Sequence, residues 1–181
     1  GIKEDGNLNL YKKNLTNDFE FDGKVDYIIH AATYAQPAKF LENKFETIKL
    51  NTIVVEKLLE ISKKNNASFL FTSSSEIYGQ AEKIPTPEDA ICLFDNPTKT
   101  LRHSYSTSKY LGDILCAAFH EKYGLPVTAL RYFNIYGPRL IGTEYGQVVS
   151  IFIKKALEGK PIEIFGDGKQ TRSFTYVSDA V

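Results

Sequence analysis

Three short apolar runs, each breaking off into small or polar residues, set the strongest limit on what this chain can fold into. They are VDYIIHAA (25–32), SFLFTSS (68–74) and PVTALRYFNIYG (126–137). Rich in β-branched and aromatic side chains, they read as strands. Between them the apolar residues take helical spacing. Ile48, Val55, Leu58, Leu59 and Ser62 do so within FETIKLNTIVVEKLLEISKKNN (45–66), and a second helix is expected from about Ser106 to Tyr123, where Gly124 and Pro126 stop it. A third, QVVSIFIKKALEG (147–159), closes on Gly159, while LNLYKKNL (8–15) and IEIFG (162–166) are weaker strand candidates. Strand, helix, strand, helix, strand is the pattern of right-handed βαβ units, so the chain is expected to be α/β with a doubly wound parallel sheet. Nearly continuous apolar strands further suggest helices on both faces.

In open sheets of this kind ligands sit outside the carboxyl ends of the strands. HAATYAQ, FTSSSEIYG and FNIYGPR all lie at that rim. Leaving a sheet needs one small polar residue, yet FTSSSEIYG supplies three serines and a carboxylate. Three polar strand ends on one rim predict a binding site.

Composition narrows the partners. Lys+Arg and Asp+Glu both number 22, so no net charge draws the chain to nucleic acid or to an acidic membrane. No apolar run approaches the roughly 18 residues that a membrane span needs. Cys92 and Cys116 match no metal-ligand spacing and read as reduced thiols of a cytoplasmic protein. No metal is expected.

The chemistry centres on YSTSK, which sets Tyr105 and Lys109 four apart at the start of the second helix and therefore on one face. A phenol with a pKa of about 10 is a poor base at neutral pH, and a neighbouring ammonium lowers that value. Alone, the pair reads first as a helix N-terminus with a half-buried tyrosine beside a solvated lysine. It is not alone, for TSSSEIYG precedes it and RYFNIYGPR and GDGKQTRSFTYVSD come after.

With these motifs in this order, from about residue 8 to 181, the chain resembles the extended short-chain dehydrogenase/reductase family, whose members modify nucleotide-activated sugars with a tightly held NAD. The resemblance implies roles. Tyr105 is the acid/base on a sugar hydroxyl, Lys109 binds the nicotinamide ribose and lowers the tyrosine's pKa, and Ser74 bonds the same sugar oxygen. Ala31, Ala32 and Thr33 line the cofactor near its phosphates. Asn51 matches an asparagine in the helix behind the active site. Tyr132, Phe133 and Asn134 flank nicotinamide and sugar, and Arg172 grips the substrate diphosphate, where a guanidinium fork suits phosphate oxygens. The partners implied are a nucleotide sugar and, in the full-length protein, a second copy in a homodimer.

Hydride removal at sugar C4 gives a 4-keto intermediate, and the residues after Ser74 decide its fate. The 4,6-dehydratases carry Asp-Glu there, whereas this chain has Ser75-Glu76, and Ser75 cannot serve as a dehydratase acid. Ser-Ser-Glu resembles UDP-glucuronate decarboxylases, as do ATYAQPAKFLENKFETIKLNT (32–52) and Arg102, three before Tyr105. Glu76 would then act beside a uronate as proton donor or ring positioner, with Arg102 or Arg172 relieving the like charge. Against this, those decarboxylases usually continue Tyr-Asp-Glu-Gly-Lys-Arg, while YSTSKY is the commoner epimerase and dehydratase form. Decarboxylation leads, with 4-epimerisation or 4,6-dehydration as the alternative and a non-catalytic relative as the second.

The dinucleotide fingerprint G-x-x-G-x-x-G is absent, and GDGK at 166–169 does not replace it. Residues 8–15 resemble the family's third strand, which in the order 3-2-1-4-5-6 lies two strands from the fourth. The expectation is therefore a partial NAD-binding Rossmann domain over 1–137 lacking its first βαβ unit, and the start of a nucleotide-sugar-binding lobe over 138–181. Such a fragment would carry a two-strand hole in its sheet and would bind NAD poorly.

Overall fold

The computed structural model describes residues 7–143 and 146–181. In chain order it contains β1 (Tyr27–His30), α1 (Pro37–Glu42), α2 (Lys44–Asn51), α3 (Ile53–Asn65), β2 (Ser68–Ser74), a 3₁₀ turn (Ser75–Tyr78), α4 (Ser104–Tyr123), β3 (Val127–Tyr132), β4 (Asn134–Tyr136), α5 (Val148–Leu157), β5 (Phe174–Tyr176) and α6 (Val177–Ala180). β1, β2 and β3 form a parallel sheet in that order, with Tyr27 opposite Ser68 and Ser74 opposite Tyr132. β4 and β5 form a second, two-stranded parallel sheet. The fold is a partial Rossmann-like α/β fold.

Phe69 and Phe71 of β2 point the same way, into a core with Val55 and Leu59 of α3, Cys116 of α4 and Leu125. Among the described residues both crossover helices therefore cover one face of this partial sheet. Strands added successively in one direction through right-handed crossovers place their helices on the same side. The other face of β2 is half-buried.

The run 45–66, expected as one helix, breaks at Thr52, whose backbone turns to φ −125° and ψ −77°. Its hydroxyl donates to the carbonyl of Ile48 at 2.7 Å, the back-bonding that bends helices at threonine. Asn66 (φ 52°) and Gly124 (φ 66°) end α3 and α4 in the left-handed conformation that caps helices. The run 126–137 divides at Phe133, where the chain leaves the first sheet for the second.

Two strand expectations are corrected. Residues 8–15 form no strand and lie mostly exposed, and residues 162–166 are likewise irregular, the partner of β4 being Phe174–Tyr176. An extended segment with no neighbouring strand keeps its backbone solvated instead of pairing it. The described sheet accordingly has no hole. The deficit falls on its edge, where Tyr27 and Ile29 are 77% and 66% exposed. Among the described residues no helix is long and apolar enough to cross a membrane, and no group of three His, Cys, Asp or Glu could hold a metal ion.

Candidate active site

At the carboxyl ends of β1, β2 and β3 lies a cleft of ≈ 470 Å³. Ala31 and Thr33 enter it from the end of β1, Ser74, Ser75 and Glu76 from the end of β2, Tyr105 and Lys109 from the first turns of α4, and Tyr132, Phe133 and Asn134 from the junction of β3 and β4. The parallel sheet sets this convergence, because every strand ends at the same rim. Another cleft, ≈ 540 Å³ between α5 and residues 160–170, gathers no comparable set of groups.

α4 reaches the rim because it packs closely against the sheet and α2. Gly112 makes this possible, since a Cβ there would lie 2.5 Å from Cζ of Phe71 and 2.9 Å from the carbonyl oxygen of Asn51. Asn51, expected near the cofactor, is wholly buried in that contact instead. Its amide donates to Ser108 Oγ at 3.0 Å, and Ser108 donates to the carbonyl of Tyr105 at 2.8 Å. Asn51 thus ties α2 to the turn that carries Tyr105.

Tyr105 is 6% exposed and stacks on Phe40 of α1, ring centroids 4.7 Å apart and planes 14° apart. Burial pushes its phenol above the ordinary value; a hydrogen bond with Ser74 acts the other way, and the Glu76 charge adds to the rise. The sequence led to the opposite expectation, a phenol lowered by Lys109. Lys109 donates to the carbonyl of Thr72 and lies 4.5 Å from the centroid of the Phe71 ring. Burial brings this ammonium down to about 8, against the opposing pull of Asp113 and Cys116. Beneath it, His30 is brought down to about 4, first by burial and then by the Lys109 charge.

Glu76 carries the open side of the cleft. Arg102 forks onto it, Nη1 donating to Oε2 at 3.3 Å and Nη2 to Oε1 at 3.4 Å, and Ser106 Oγ donates to Oε2 at 3.0 Å. The Glu76 backbone N–H in turn donates to Ser74 Oγ at 3.2 Å. The guanidinium of Arg102 lies 5.2 Å from the centroid of the Phe40 ring, so Phe40 joins the ion pair to the tyrosine. Neither Phe40 nor Ser106 was singled out from sequence; the sole signal was their place within PAKF and YSTSK.

Three other expected residues stand apart from the cleft wall. Ala32 does not line it, and Arg102 reaches it only through Glu76. Arg172 is exposed, donates to the carbonyl of Thr171 at 2.7 Å, and lines a neighbouring cleft that shares the Tyr132–Ile135 wall. Asn134 spends its amide on the carbonyl of Ser173 at 2.9 Å, tying β4 to the start of β5.

A cleft at the strand ends, with an unpartnered Thr33 hydroxyl and a buried lysine, fits a dinucleotide's ribose and phosphate oxygens. Comparison with known proteins agrees. The chain is 40% identical over 174 residues to a UDP-N-acetyl-alpha-D-glucosaminuronate decarboxylase of Bacillus cytotoxicus, covering 96% of this chain and 53% of that one. It is 38% identical over 158 residues to UDP-glucuronic acid decarboxylase 1 of Xenopus tropicalis, covering 87% of this chain and 37% of that one. Among solved structures it matches a UDP-glucose 4-epimerase of Thermotoga maritima with UDP-glucose (TM-score 0.76, 35% identity, 86% of this chain and 49% of that one). It also matches a UDP-glucuronic acid 4-epimerase of Bacillus cereus with UDP-glucuronic acid and NAD (TM-score 0.72, 32% identity, 86% and 47%). The chain thus spans about half the length of these relatives or less. The family model matches residues 4–181, and with the strand-end cleft and its Ser-Tyr-Lys set in place, this chain belongs to the NAD dependent epimerase/dehydratase family.

Proposed function

We propose that the whole protein modifies a UDP-linked uronic acid through a 4-keto intermediate and releases its carboxyl group as carbon dioxide. The observation that carries this reading is a carboxylate, Glu76, held beside Ser74 and Tyr105 at one strand end. The decarboxylases among the relatives support it.

Ala31, Thr33 and Lys109 would hold NAD, which would supply a hydride acceptor, and later a donor, at sugar C4. Tyr105 removes the proton of the C4 hydroxyl while Ser74 holds that oxygen. The ketone so formed lies β to the sugar carboxylate. The bond from C5 to the carboxyl carbon then breaks, its electron pair flows toward the C4 oxygen as an enolate, and C5 takes a proton as the ketone returns. Glu76 serves this second half, orienting the ring or relaying the proton. Arg172, on the neighbouring cleft, faces the diphosphate.

A 4-epimerase is the competing reading, favoured by the solved neighbours and by YSTSK. Mass spectrometry of the whole protein's products from a panel of nucleotide sugars separates them. Decarboxylation gives a product lighter by carbon dioxide, dehydration one lighter by water, and epimerisation an unchanged mass. Glu76→Gln is expected to halt the reaction at the 4-keto sugar, two hydrogens lighter than substrate. Full turnover of that variant with an unchanged product mass would refute decarboxylation. The same reading makes the protein a cytoplasmic homodimer, which sedimentation and cell fractionation test.

A further inference from the structure

The row of hydroxyls behind Tyr105 is not uniform. Thr107 Oγ1 donates to the carbonyl of His103 at 2.7 Å, and Ser108 Oγ to that of Tyr105 at 2.8 Å. Both donate within their own helix, although Ser108 Oγ also accepts from the Asn51 amide. Ser106 alone of the three sends its hydroxyl out of the helix, across thirty positions of sequence, to Glu76 Oε2 at 3.0 Å. Ser106 is 1% exposed. Successive helical residues diverge by about 100°, so Tyr105 meets Phe40 while Ser106 meets the 3₁₀ turn.

The two grips on Glu76 differ in kind. Arg102 holds it at 3.3 and 3.4 Å with its side chain 44% exposed, and ion pairs in such solvated settings fix geometry weakly. The Ser106 bond is shorter, part-buried and charge-assisted, the stronger class of contact. A glutamate has three side-chain torsions to restrain, and of the two grips the Ser106 bond comes from the more deeply buried side chain.

We propose that Ser106 is a positioning residue that aims the Glu76 carboxylate into the cleft, and so governs the step after the ketone forms. This rests on the proposed role of Glu76 in decarboxylation. Ser106 needs no contact with substrate, and with Glu76 held by Ser106, Arg102 can exchange its partner for the substrate's charge.

The test is a double-substitution cycle in the whole protein. Ser106→Ala is expected to lower turnover about ten- to a hundredfold, the scale of losing one hydrogen bond to a charged group, with KM little changed and the 4-keto sugar accumulating. Ser106→Thr, which keeps the hydroxyl, is expected to restore most of the rate. Ser106→Ala added to Glu76→Ala, which removes the acceptor along with the charge, is expected to cost no further stability, because the two act through one bond. Unchanged turnover in Ser106→Ala overturns the proposal, while carbon dioxide release by the unsubstituted protein leaves the functional reading standing. An unchanged product mass with Glu76→Gln at full rate removes the functional reading and the catalytic use of the pair together. Urea unfolding of the same four proteins reads the bond itself: non-additive losses support it, and additive losses overturn it.

Discussion

Gly112→Ala tests whether the approach of α4 to the sheet positions the site. In a helix interior the change alone would stabilise by about 0.8–1.0 kcal/mol. Here the added Cβ would meet Phe71 Cζ at 2.5 Å, Phe71 Cε1 at 2.8 Å and the Asn51 carbonyl oxygen at 2.9 Å. Ordinary carbon contacts need about 3.5–4.0 Å, so something must move by about 1 Å. Phe71 is fully buried and the carbonyl belongs to the end of α2, so neither wall yields freely. Overpacking of this kind costs about 1–3 kcal/mol, and with two walls the upper end applies, leaving a net loss of about 2 kcal/mol. At about 2–4 °C per kcal/mol for a chain this size, thermal unfolding followed by circular dichroism should fall by roughly 4–8 °C. Because Lys109 lies over the same Phe71 ring, turnover should fall too, by as much as about a hundredfold for an ångström of displacement. A variant as stable as the parent, or more so, would refute the reasoning, because helix propensity would then outweigh the contact.

Tyr105→Phe is expected to abolish turnover, a loss of about 10²–10⁴, while nucleotide-sugar affinity by calorimetry stays within a few-fold; near-full activity would remove Tyr105 as acid/base. Arg172→Ala is expected to weaken substrate binding by about 1.5–3 kcal/mol and NAD binding much less, whereas equal weakening would mark a structural arginine. His30 is held at about 4 in the folded chain against 6.5 unfolded, so the unfolded state binds more protons between those values and stability is lost as pH falls through that window. The loss should be about 3 kcal/mol in urea unfolding and should shrink in His30→Leu; an unchanged pH dependence in that variant would exclude His30 as its source.

The elements legible in the sequence are those whose pattern a single local rule decides. β2 shows strand alternation, and α4 runs to a glycine stop that the structure places in the left-handed conformation. The departures come from partners distant in sequence. Residues 8–15 look like a strand but have no neighbour to pair with, and Phe174–Tyr176 looks unremarkable but finds β4. Thr52 breaks a well-patterned helix through a hydroxyl that propensity does not weigh. In the site, the strand-end rule brought most of the expected residues into one cleft. It could not show that Asn51 faces Ser108, that Phe40 lies flat on Tyr105, or that Arg102 is engaged by Glu76, since each depends on how α1, α2 and α4 pack.

That packing also decides how charge is arranged. Tyr105, Lys109 and His30 are all buried, and burial drives each toward its neutral form: the phenol upward, the ammonium down to about 8, the imidazole down to about 4. At pH 7 this leaves a protonated phenol, a charged lysine close to losing its proton, and a neutral histidine. The first is the acid form, ready to return a proton, so abstraction requires a change in local field that burial alone opposes. Glu76 and Arg102 stand outside this dry interior as an ion pair on the solvent side, 34% and 44% exposed. A substrate bearing its own carboxylate would enter past that pair and meet a guanidinium already engaged. Whichever anion Arg102 then takes, the Ser106 hydroxyl still holds Glu76 from behind. In the proposed reaction the inner groups would move a proton at C4 and the outer pair would meet the charge at C5; an epimerase acting on a uronic acid would meet that charge too, so the two reactions part only at the bond from C5 to the carboxyl carbon.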